Sequence, residues 1–162
     1  MISLTLSALL LLTPSFGGLD GAAQEPKASG RTIPANVMAT LTAKFPQAKI
    51  DQWSREKEDG KEVYDIEFRQ ADRKFEADIF ADGTIHNWEQ QVAASDLPQA
   101  VVQAVSRQFP KAPMKEIMAV TEVTNGNEHL AGYEIVVKRT LKKDVEMTIA
   151  PDGKILEGPK KE

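Results

Sequence analysis

Val63-Tyr64-Asp65-Ile66-Glu67-Phe68, then Phe75-Glu76-Ala77-Asp78-Ile79-Phe80, closed by Ala81-Asp82-Gly83, is the stretch that decides the fold. In the first run Tyr64, Ile66 and Phe68 alternate with Val63, Asp65 and Glu67. In the second, Phe75, Ala77 and Ile79 alternate with Glu76 and Asp78. A period of two is that of a strand with one face buried. Asp-Gly after such a run marks a tight hairpin turn. If Phe68 lies opposite Phe75, then Glu67 faces Glu76 and Asp65 faces Asp78, which puts four carboxylates on the face that the apolar row leaves.

The same pattern recurs downstream. Tyr133, Ile135 and Val137 form one apolar row, Val145, Met147 and Ile149 a second, and Pro151-Asp152-Gly153 closes it. Here Glu134 is expected to face Thr148, and Val136 to face Glu146. A further strand is expected before each hairpin, near 49–56 and 114–123, and a short last strand after it, at 84–89 and 154–157. Ile50 and Trp53 are three apart, which breaks the alternation and points to a bulge or bend.

Upstream of each set the period changes to that of a helix. Ile33-Pro34 opens a segment that ends at Phe45-Pro46, and Leu97-Pro98 opens one that ends at Phe109-Pro110, 64 residues later at both ends. Val37, Met38 and Leu41 match Val101, Val102 and Val105, on one helical face. The opening proline suits a first helical turn, and the closing one disfavours helical geometry at the residue before it. The expected fold class is α+β: two tandem units, 33–92 and 93–162, each one helix packed on a four-stranded antiparallel sheet. A unit of this size is marginal alone, so the two are expected to share a core or join their sheets edge to edge.

Ahead of the units, Ile2 to Leu12 is an unbroken run of apolar and small hydroxyl residues, Pro14 and Gly17-Gly18 break it, and Gly21-Ala22-Ala23 supplies small residues. The run is too short to span a bilayer, which takes roughly 20 residues. Residues 1–23 are expected to be a signal peptide and 24–32 a flexible leader, giving a periplasmic or secreted protein with no membrane span after cleavage.

Composition excludes much chemistry. There is no cysteine, hence no disulfide, thiolate nucleophile or cysteine-held metal. A net charge of -4 with balanced cations gives no basic face for nucleic acid. The two histidines, His86 and His129, fall in different units, and no nucleophile elbow, zinc-binding helix or phosphate-binding glycine loop is present. No catalytic residue and no cofactor is expected, and the chain is read as not an enzyme. What remains is surface. Asp65, Glu67, Glu76 and Asp78 oppose one another, which is unfavourable unless compensated, as by Arg55, Lys57 or Lys61. These four are candidates for a basic partner or, in the alternative, for a hard cation such as calcium. Residues 24–92 carry 13 acidic and 10 basic side chains, so an acidic site is assigned to the first unit. Trp88 falls out of phase with inward Ile85 and is expected to point outward with His86 as an apolar anchor, with Trp53 a further aromatic candidate.

Phe45 to Trp53, Tyr64 to Phe68 and Phe75 to Gly83 together resemble the PepSY-like family of β-lactamase-inhibitor-like domains. The second unit resembles it more loosely, through Phe109-Pro110, Tyr133 to Val137 and Pro151-Asp152-Gly153. Ile117 stands where the first unit has Trp53, and 124–132 reads as a longer loop. The resemblance implies an exported bacterial protein with no catalytic residues to carry over. The family's namesake inhibitor binds an enzyme through a sheet surface, which implies binding to another exported or envelope protein or peptide, and inhibition by analogy of fold.

Overall fold

The computed structural model describes residues 32–58, 60–139 and 143–158. The expected signal peptide, and the leader up to Arg31, lie outside the described residues. The described chain runs α1 (Ala35–Lys44), β1 (Lys49–Glu58), β2 (Lys61–Gln70), β3 (Arg73–Phe80), β4 (Ile85–Gln91), then a single 3-10 turn at Ala94–Asp96. It continues α2 (Gln99–Gln108), β5 (Met114–Thr124), β6 (Asn127–Val137), β7 (Val145–Ile149) and β8 (Ile155–Glu157). All eight strands form one antiparallel sheet in the order β1 to β8. The order of elements thus repeats, but there are not two sheets: β4 pairs with β5 from Asn87↔Glu122 to Gln91↔Met118 and carries the sheet across. Among the described residues no helix is long and apolar enough to cross a membrane.

Each helix starts and stops as its prolines direct, with one shift. Pro34 and Pro98 sit just before the first helical residue, and their carbonyls accept from Met38 N and Val102 N at 3.0 and 3.2 Å. A proline there has no N–H to leave unsatisfied. At the other end Phe45 N and Phe109 N close on Leu41 O and Val105 O before Pro46 and Pro110. Val37, Leu41 and Phe45 then pack on the row of Tyr64, Ile66, Phe68, Phe75, Ala77 and Ile79. Val101, Ala104 and Val105 pack on Ile117, Tyr133, Ile135, Met147 and Ile149. The cross-strand row Phe75, Gln90, Ala119, Tyr133 ties the two clusters to the same side of the sheet. Both helices therefore lie on one face, and the other faces outward.

The two Asp-Gly turns anchor the helices. In each, the aspartate Oδ1 accepts from the backbone N two residues on, Thr84 or Lys154. Gly83 (φ 89°) presents its carbonyl to Thr40 Oγ1 at 2.8 Å, and Gly153 (φ 87°) lies against the backbone of Ala100. A Cβ at Gly153 would stand 2.7 Å from Ala100 O and 3.0 Å from its carbonyl carbon. Both the positive φ and the contact forbid a side chain there. Gly153→Ala should cost about 2 kcal/mol or more. Gly83→Ala should cost less, because its nearest obstacle is the Thr40 hydroxyl at 3.2 Å. Urea midpoints of both variants check the order, and equal midpoints would count against the account.

Bulges in β1 and β4 set the phase of the strands in the first half. Ile50 pairs with Phe68 and Trp53 with Ile66, with Asp51 looped between, so both apolar side chains face the helices as the spacing implied. In β4, Ile79 pairs with Ile85 and Asp78 with Asn87, which leaves His86 as the extra residue. Trp88 consequently falls opposite Ala77, on the helix face. The expected outward Trp88 is corrected by this bulge. A further correction concerns 124–132, which is not a loop: Asn125 and Gly126 (φ 53° and 77°) make a two-residue turn between two eleven-residue strands.

Candidate functional site: the outer sheet face

Phe68 pairs with Phe75, so Glu67 faces Glu76 and Asp65 faces Asp78, as the alternation required; Glu134 faces Thr148 and Val136 faces Glu146. Glu76 then pairs with Glu89, and Glu89 with Val120. Because β5 follows β4 in the same sheet, the acidic face continues into the second half through Glu89, Glu116, Glu134 and Glu146. Its assignment to the first unit alone is therefore corrected. Cross-strand neighbours stand about 5 Å apart, so these carboxylates repel one another.

Compensation comes from Lys74 rather than from the upstream cations. Its Nζ lies 2.7 Å from Glu76 Oε1, 3.0 Å from Glu116 Oε1 and 3.5 Å from Glu67 Oε2. Burial alone would lower the ammonium pKa, but the hydrogen bond and charge of Glu76, with Glu116 and Glu67, hold it above its ordinary value. Arg55 instead meets Glu62 at 3.3 Å, and Lys61 lies over the Phe80 ring. Asn87 Nδ2 donates to Asp78 Oδ2 at 2.9 Å, and Gln52 Nε2 donates to Glu67.

Burial and mutual repulsion raise several carboxyls of this face. Burial, then Asp78, Glu76 and Glu67, pushes Asp65 up to about 8. Burial, then Glu146 and Glu76, pushes Glu134 up to about 8. Glu89 is raised well above its usual range by burial and by Glu134, Glu76 and Asp78, and Glu89 Oε2 is shielded without a hydrogen-bond partner. Between these acids lies an apolar bed: Met118, Val120 and Val136 are 2%, 1% and 7% exposed on the face that neither helix covers. Strand alternation alone places Glu116, Glu134 and Glu146 on this side, but gathering them with Asp65 and Glu89 requires the β4 to β5 junction.

The aromatic candidates sit elsewhere. Trp88 meets Phe45 edge-on at 5.8 Å, with Lys44 Nζ 4.9 Å from its ring centre and ion-paired to Glu128. Trp53 flanks Tyr64 at 6.1 Å at the rim of the same core. His86 stands at the bulge, 5.2 Å from Phe80 and 3.6 Å from Glu58, whereas His129 meets Glu122 at 3.2 Å. The four predicted acids are thus together on the outer face, and Trp88 and Trp53 are not with them. Among the described residues no three histidine, aspartate or glutamate side chains gather as a metal-holding group.

The family described as "Putative beta-lactamase-inhibitor-like, PepSY-like" matches residues 24–87 and again 63–157. The chain belongs to this family. Solved structures share the PepSY-like fold at low identity. A protein from Bacteroides eggerthii described as "putative periplasmic" is 15% identical, with a TM-score of 0.60 over 78% of this chain and 88% of that one. A "BLIP-like protein" from Bacteroides fragilis is 16% identical, with a TM-score of 0.56 over 79% and 86%. A DUF2874 family protein from Bacteroides ovatus is 18% identical, with a TM-score of 0.57 over 79% and 87%. No curated protein matches the chain.

Proposed function

We propose that the chain is an exported, non-enzymatic binding module that engages another exported or envelope protein through the outer face of its sheet, in the manner of an inhibitor. The observation that carries this reading is the outer face itself. Folding uses the other face to hold both helices, while this one concentrates carboxylates around Met118, Val120 and Val136. Membership of a β-lactamase-inhibitor-like family points the same way. The repeated order of helix and four strands supports two tandem PepSY-like units, 33–92 and 93–162. The "putative periplasmic" description of the Bacteroides eggerthii protein supports a periplasmic or secreted location after loss of residues 1–23. The cation-dependent reading draws no support from the carboxylates, which are spread along strands and partly held by Lys74.

The test is site-specific photo-cross-linking in the native envelope fraction. A benzophenone side chain replacing Gln52, on the outer face, should capture a discrete protein band. The same group replacing Ser106, on the exposed side of α2, should not. Capture from Ser106 alone, or no capture from Gln52, would move the binding surface or remove it.

A further inference from the structure

We infer that the outer face receives a basic segment of the partner protein, with an arginine or lysine side chain of that segment seated against Glu89. This rests on the reading of that face as the binding surface, and adds the chemistry of what it binds.

Glu89 Oε2 is shielded from solvent and accepts no hydrogen bond. Buried polar atoms are normally paired, because an unpaired one has lost its water with nothing in return. Among the described residues no side chain donates to Glu89 Oε2. Across the strands stand Glu76 on one side and Val120 on the other. Asp65, Asp78 and Glu134 are close enough to repel it. Lys74, the cation set among these acids, has its ammonium engaged by Glu76, Glu116 and Glu67. The arrangement therefore leaves an unpartnered acceptor on a carboxyl that burial and its acidic neighbours push toward the protonated form, and a seated cation would draw that proton off.

Arg and Lys fit that surface, because their heads donate several charge-assisted hydrogen bonds. A bare divalent cation fits less well. Calcium takes six to eight oxygen ligands, whereas an apolar side chain flanks Glu89 and no metal-holding group is gathered there among the described residues. Carboxylates spread from β2 to β7 also match the reach of an extended polypeptide better than that of a small free cation.

The experiment titrates the intact chain against fluorescein-labelled Gly-Ser-Leu-Ala-Arg-Ala-Leu-Ser-Gly, followed by anisotropy. Comparison peptides carry lysine or citrulline at the centre, citrulline being an uncharged near-isostere of arginine. The arginine and lysine peptides should bind saturably, and the citrulline peptide about tenfold or more weakly. Glu89→Gln, which keeps the shape and removes the group that can ionise against a cation, should weaken the arginine peptide by a similar factor, with its melting temperature confirming the fold. Should that variant fail to fold, the arginine-to-citrulline comparison on the native chain still decides. Equal binding of arginine and citrulline peptides, or unchanged affinity in folded Glu89→Gln, overturns the inference. So does competition by spermidine at the peptide's own concentration, which would reassign the surface to small cations. A dimer that dissociates on peptide binding would assign it to a second copy. Cross-linking from Gln52 is read separately: capture retained beside charge-blind peptide binding removes only the basic segment, whereas loss of capture removes the binding surface.

Discussion

Phe68→Ala is expected to cost about 3–5 kcal/mol, a large share of the roughly 5–15 kcal/mol that holds a domain folded. Phe68 is fully buried, 4.8 Å from Phe45 and stacked at 5.4 Å on Phe75. It joins the end of α1 to the β2–β3 hairpin, so its removal opens a cavity that three elements line. Collapse of that cavity is resisted because Glu67, its neighbour on the outer face, is held by Gln52 and Lys74. The urea midpoint should fall by about 1 M or more, given the slopes usual for small proteins. Leu130→Ala serves as the comparison, since Leu130 is 45% exposed. A midpoint for Phe68→Ala no lower than that of Leu130→Ala would sink the core as described.

The second large effect is on pH dependence. Asp65 and Glu134 titrate at about 8 in the folded protein, chiefly through burial. In the unfolded chain they return to the ordinary carboxylate range, near 4. Between those values the folded protein holds protons that unfolding releases. The protons bound then favour the folded state, and that stability is fully present below about pH 4 and lost as pH rises through about 8. Glu89 and Glu146, also raised by burial first, act in the same direction. Melting temperature should therefore decline from about pH 5 to about pH 9. Asp65→Asn with Glu134→Gln should raise it at the alkaline end and flatten the profile. A native profile that is flat or rises across that range would contradict the burial of these groups.

Much of this fold is legible in the sequence, for a local reason. The register that pairs Phe68 with Phe75 follows from strict alternation, and one slip would expose the whole apolar row. The helix ends follow from Pro34, Phe45-Pro46 and their counterparts 64 residues on. Trp88 was misleading because a bulge at His86 changes phase without a glycine or proline to announce it. The stretch 124–132 looked like a loop because polar residues surround Asn125-Gly126, although a two-residue turn there extends both strands. The site was less legible than the fold. Lys74 reaches Glu116 across 42 residues of sequence, and Glu89 meets Val120 only through the junction of β4 with β5. Pairing within a hairpin can be read from periodicity, but pairing between hairpins separated by a helix cannot.

The strand order β1 to β8 has a consequence for how the chain acquires its structure. Every strand lies beside its neighbour in sequence, and only the β4 to β5 step spans a helix. No early strand must wait for a late one to complete its ladder. A chain emerging amino end first can therefore zip α1 and β1 to β4 together before β5 exists, and later strands add to an edge already formed. Such a sheet has a low contact order for its β content, which favours rapid folding. The edge that waits, β4, carries Glu89 among its outward side chains, so the nascent half meets its surroundings with a charged border that discourages pairing with the wrong chain.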